Sequence, residues 1–139
     1  MIFKGYKIRV RCIDWEQESY LGAYWNFVSK HIGYTNLIGL GMNWSEDYLY
    51  FDYLLGVIDD EDTLEKLKQI DFKRTKYKVK YLEVELPELK EWKSFKGKEA
   101  NLRMIYEKDI DCNNMYYDYE LEYIDGKGNI EIKIHYIKQ

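Results

Sequence analysis

The chain has 139 residues, with 21 Lys and Arg against 25 Asp and Glu and a net charge of −4. That length leaves room for one ordinary domain, and that charge lacks the basic footprint needed to grip a phosphate backbone. Hydrophobic residues make up 46% and charged residues 33%, with a single Pro and nine Gly, which excludes a disordered or collagen-like chain. The longest apolar runs, 37–42 and 54–58, fall far short of the roughly 18 residues of a membrane span, and Met1-Ile2-Phe3-Lys4 opens no secretory signal. The expectation is one cytoplasmic domain over residues 1–139 that neither enters a membrane nor binds DNA directly. Cys12 and Cys112 stand far apart without metal-ligand spacing, so neither a disulfide framework nor a metal or other cofactor is expected. One feature exceeds the average: aromatic residues are 17% of the chain, and 15 of them are Tyr. Such side chains serve equally on half-buried strands and on surfaces that meet a ligand.

In chain order, residues 6–13 alternate Tyr6, Ile8, Val10 and Cys12 against Lys7, Arg9, Arg11 and Ile13, the pattern of a strand with one solvated face. From Glu16 to Ile32, the residues Leu21, Tyr24, Trp25, Val28 and Ile32 form one helical stripe, with Gly33 placed as a C-terminal cap. Segments 36–43 and 48–58 read as a hairpin around Trp44-Ser45-Glu46-Asp47. Gly39-Leu40-Gly41, inside the first of these strands, suits close packing better than phosphate binding. Residues 59–80 form a charged connector. A short helix is predicted over 63–70 with Asp62 as its N-cap, followed by a lysine-rich run that reads as a solvated loop or a protected edge strand.

The opening pattern then returns. Strands are predicted over 81–86, ending at Pro87, and over 92–96, followed by a helix over 99–110. Strands over 116–124 and 129–137 are joined by Asp125-Gly126-Lys127-Gly128. Two strand-helix-strand-strand units, about 6–58 and 81–138, would bury both helical stripes most economically on one face of a shared antiparallel sheet. The predicted fold is α+β, with a cleft between the halves.

Several separated pieces carry a family resemblance: the Trp25 helix before Ile38-Gly39, then Phe51-Asp52-Tyr53-Leu54-Leu55-Gly56-Val57, then Trp92-Lys93-Ser94-Phe95-Lys96-Gly97. From about Tyr6 onward the chain resembles the gyrase-inhibitor-like effector-binding domain of AraC-type and MerR-type transcription regulators. That resemblance implies the duplicated fold and a cleft in which a carboxylate and aromatic rings bind small, lipophilic, often cationic molecules. It maps the carboxylate onto Glu120 in Tyr119-Glu120, the hairpin tyrosine onto Tyr53, and the aromatic strand onto Trp92 and Phe95, with Trp44 and Trp25 nearby. Glu122 shares a strand face with Glu120 and can take its role. The long charged connector and the short hairpin depart from the family's pattern. The start of the first strand within ten residues of Met1 leaves no space for a helix-turn-helix ahead of it, so a stand-alone module is expected.

A carboxylate among aromatic rings suits an organic cation through charge pairing and cation-π contact. Two alternatives compete with such a binder in sensing or sequestration. One is a hydrolase using a cleft Glu as general base, although the chain carries no GxSxG, Cys-His or Ser-His-Asp pattern. The other is a module that meets a protein partner through the basic segment 66–80. His31 and His135 are expected to be structural or exposed.

Overall fold

The structure, a computed structural model, describes residues 1–14, 16–88, 92–97, 115–127 and 129–138. Its elements are β1 (Ile2–Arg11), α1 (Gln17–Ile32), β2 (Ile38–Met42), β3 (Tyr50–Ile58), α2 (Glu61–Lys68), a 3-10 turn (Phe72–Arg74), β4 (Lys80–Glu85), β5 (Trp92–Gly97), β6 (Met115–Ile124) and β7 (Ile130–Lys138). The strands form one seven-stranded sheet in the order β4-β1-β3-β2-β6-β7-β5, and every pairing is antiparallel. The predicted α+β class is therefore observed.

The two faces of the sheet bury different residues because strand neighbours alternate. On one face, Ile8 and Val10 of β1 and Phe51, Tyr53, Leu55 and Val57 of β3 pack under the α1 stripe of Leu21, Tyr24, Trp25 and Val28 and under Leu64 and Leu67 of α2. The Tyr24 hydroxyl donates to the Tyr6 carbonyl at 2.9 Å, pinning α1 to β1. Gly33 ends α1 at φ 79°, its N–H bonded to the Ser29 carbonyl, as a C-terminal glycine should. On the other, outer face, Phe3, Ile38, Leu40, Leu54, Tyr119 and Leu121 gather around Leu86. The chain leaving β4 crosses beneath this face, where the Pro87 carbonyl accepts a bond from the Tyr119 hydroxyl at 2.7 Å.

Three expectations are corrected. The second helix is capped by Asp60 rather than Asp62: the Asp60 carboxylate accepts from the Thr63 N–H at 3.0 Å and the Thr63 hydroxyl at 2.7 Å, while Asp62 lies inside the first turn. The turn between β2 and β3 is wider than four residues, since pairing stops at Met42 and Asp52 and resumes no earlier than Tyr50. Asn43 and Tyr48 both adopt positive φ there, which bends the chain out of the ladder. The connector is not merely solvated, because Phe72 and Tyr77 are buried against α1 and β1. Tyr77 packs 5.1 Å from Tyr24, and Phe72 4.8 Å from Tyr6.

The strand expected over 81–86, placed at the start of the second unit, pairs with β1 at the edge of the first. Within the rest of the sheet, β1-β3-β2 is mirrored by β5-β7-β6 across the β2–β6 pairing. The helix predicted over 99–110 lies outside the described residues.

Because Phe72 is only 8% exposed, Phe72→Ala should cost about 3 kcal/mol or more of unfolding free energy, whereas Lys73→Ala should stay within about 0.5 kcal/mol of wild type. Urea denaturation checks both. Equal small effects would return the connector to a surface loop.

Candidate functional site: carboxylates and aromatic rings over a glycine strand

The central strand β2 carries no side chain on its helix-side positions 39 and 41. Across it, Gly41 stands opposite Tyr53 on β3 and Glu120 on β6, and Gly39 opposite Leu55 and Glu122. The vacated space is filled by neighbours. A Cβ at position 39 would lie 2.1 Å from the Tyr53 hydroxyl and 3.0 Å from Cζ2 of Trp25, and one at position 41 would lie 2.6 Å from Oε1 of Glu120. The two glycines thus let Tyr53 reach over β2 from one side and Glu120 from the other. This is close packing, as Gly39-Leu40-Gly41 suggested.

Tyr53 donates to Oε1 of Glu122 at 2.5 Å, and Trp25 Nε1 donates to the Tyr53 hydroxyl at 2.6 Å and to the same Glu122 oxygen at 3.1 Å. Strands β3 and β6 and helix α1 are thereby tied through one carboxylate oxygen. Among the described residues, Oε2 of Glu122 has no hydrogen bond. Glu122 keeps part of its surface accessible, whereas Glu120 is only 2% exposed.

Burial pushes the Glu122 carboxyl above the ordinary range, with its bonds from Tyr53 and Trp25 pulling the other way. Burial, with the charge and hydrogen bond of Glu122 and the charge of Glu120, holds the Tyr53 phenol well above its usual value. Burial and the charge of Glu120 push the Cys12 thiol up to about 11, which leaves it without thiolate character near neutrality.

Rings extend from this centre in two directions. Trp44 stacks on Phe51 at 5.4 Å, and Phe51 meets Tyr53 edge-on at 6.4 Å. On the other side, Trp25 lies parallel to Tyr34 at 6.3 Å. The structure therefore brings together Trp25, Tyr53 and Glu122, sets Glu120 beside them, and connects Trp44 through Phe51. Of the β5 residues, Phe95 stands in the register row of Ile132 and Glu122, and Trp92 in the row of His135 and Tyr119. Tyr119 belongs to the outer-face core.

Sequence reasoning did not assign Phe51, Tyr34 or the glycine pair to this cluster; the spacing of Gly39 and Gly41, two apart on one strand face, was the available signal. Asp52, between Phe51 and Tyr53, turns to the opposite face. It is bound there by Arg9 Nη1 at 3.0 Å and Asn43 Nδ2 at 3.0 Å. His31 is exposed at the end of α1, with Nδ1 2.9 Å from the Phe27 carbonyl. Among the described residues no group of His, Cys, Asp and Glu could hold a metal ion, and no helix is long and apolar enough to cross a membrane.

Comparisons with protein-family models, with curated proteins and with solved structures returned no match.

Two outcomes test this geometry. Gly39→Ala forces a methyl group into the Tyr53 hydroxyl and should cost about 1–3 kcal/mol, with a change in Trp25 fluorescence as its bond to Tyr53 breaks. Because the folded Glu122 carboxyl titrates above its unfolded value, the protein keeps the associated stability below about pH 4.3 and loses it as pH rises through the folded value. Glu122→Gln removes this loss. The stability of the variant relative to wild type should rise as pH is raised above about 4.3, and a pH-independent difference in urea midpoints would contradict the burial argument.

Proposed function

We propose that the chain is a binding domain for small lipophilic molecules, preferentially organic cations, in a cleft where Glu122 meets Tyr53 and Trp25, with a role in sensing or sequestration. The observation that carries this reading is a partly accessible carboxylate, one oxygen fixed by two aromatic donors and the other open, on the central strands of the sheet. A buried carboxylate is costly unless paired, and an incoming cation supplies the missing charge while the half-buried Tyr34 ring offers apolar area and cation-π contact. The protonated, hydrogen-bonded state of Tyr53 suits binding better than proton donation, which favours a binder over a hydrolase.

The same reading treats the sheet as a duplicated arrangement, supported by the mirrored order β1-β3-β2 and β5-β7-β6. It is the arrangement expected of the gyrase-inhibitor-like effector-binding family, whose carboxylate the sequence places first at Glu120. Glu122 is the better contact for a ligand, since Glu120 is closed off above Gly41 and contributes negative potential from beneath.

A ligand of about 25 heavy atoms gaining about −0.3 kcal/mol per atom binds with a micromolar dissociation constant. Tetraphenylphosphonium, followed by Trp fluorescence, should bind in that range. Glu122→Gln should weaken it about tenfold or more while changing the affinity for neutral triphenylphosphine oxide about twofold at most. Equal losses for both probes would show disturbed packing and remove the cation preference.

A further inference from the structure

Strand β4 covers only the first part of β1, since its pairing ends at Lys7 opposite Lys80. Met1 and Leu86 exchange backbone bonds in both directions, and Cys12 donates instead to Leu49 on the β3 side. Backbone groups alternate sides along a strand, so odd-numbered residues of β1 turn toward β4 and even-numbered ones toward β3. Past Lys7, the N–H groups of Arg9 and Arg11 therefore point to an open edge. No backbone partner meets them there among the described residues.

A notch of about 480 Å³ lies at this edge, lined by Arg9, Arg11 and Lys76 with Ser19, Tyr20 and Ala23 of α1, and Glu16 is the acid among its described lining residues. Arg9 is fixed in place, its Nη1 held by Asp52 at 3.0 Å and by the Asn43 carbonyl at 3.2 Å. Arg11 and Lys76 make no ion pair among the described residues, and Lys76 lies 5.4 Å over the Tyr77 ring. Arg9 is thereby turned toward β3, so two uncommitted cationic residues, Arg11 and Lys76, outward backbone N–H donors and two hydroxyl-bearing residues border one concavity, in a chain whose net charge is −4. Guanidinium groups and strand-edge N–H donors suit oxyanions, with planar forks and short charge-assisted bonds.

We propose that this notch binds the phosphate group of a small phosphorylated molecule, held by Arg11 and Lys76 and by the outward N–H groups of β1. The site lies at the β1 edge rather than over β2, uses no residue of the Glu122 cluster, and stands or falls independently of cation binding there.

Pyrophosphate titrated into the full chain at constant ionic strength, followed by backbone amide NMR shifts, tests it. Saturable shifts should concentrate on residues 9–11, 19–20 and 76, and the double substitution Arg11→Gln with Lys76→Gln should weaken binding about tenfold or more. Both residues are exposed, so an unchanged amide spectrum away from the notch shows that the variant is folded. Lys127→Gln, at the far end of the sheet, should leave binding as in wild type. Non-saturable shifts spread over all lysines, or equal binding by the double variant, would overturn the proposal.

Discussion

Two missing side chains organise the centre of this protein. Gly39 and Gly41 occupy the helix-side positions of β2, where any larger residue would run into Tyr53, Trp25 or Glu120. Close approach of side chains to a bare strand is a common use of glycine within a sheet, despite its conformational entropy cost. Here it lets a tyrosine from one neighbouring strand and a glutamate from the other lie over the same backbone. Helix α1 can then lower Trp25 onto both.

The electrostatics follow from this packing. A carboxylate placed under a helix loses water on most sides, so its charged form is disfavoured unless donors replace the solvent. Trp25 and Tyr53 supply two donors to one oxygen of Glu122, fewer than a fully solvated carboxylate accepts, and its proton affinity rises accordingly. The contrast with Asp52 is instructive. It is also buried, but Arg9 and Asn43 each reach a separate oxygen, and its charge is compensated within the sheet. One acid is finished as a structural pair, and the other keeps one oxygen without a hydrogen bond among the described residues.

The edge of the sheet shows a related economy. β4 protects the opening half of β1 with a lysine at its first position, one of the ways sheets avoid unwanted strand addition. Beyond it, the edge of β1 is bordered by arginines and by the first turns of α1. An added strand there would have to strip water from these charges, which disfavours pairing at this edge.

Much of the fold was legible in local pattern. The alternation in β1 and the stripe of Leu21, Tyr24, Trp25 and Val28 each belong to a single element, and the burial of Ile8, Val10 and the stripe follows from their period. The cap of α2 was displaced by two residues because Asp59, Asp60, Glu61 and Asp62 offer the same chemistry in a row. Only the backbone turn at Asp60, with φ −137°, selects one of them. Phe72 and Tyr77 were hidden among lysines, since a buried ring in an irregular segment has no period to reveal it.

By itself the sequence determined the α+β class, its strands and first helix, and a short list of acids and rings, among them Tyr53, Glu120 and Glu122. The strand order was left to the tertiary structure. That order places β2 between Tyr53 and Glu122 and sends β4 to the far edge beside β1. The physical reason is that side-chain period is a local property of the backbone, whereas hydrogen bonds such as that from Tyr53 to Glu122, 69 positions apart, depend on how strands choose partners. That choice is set by the burial of both sheet faces together.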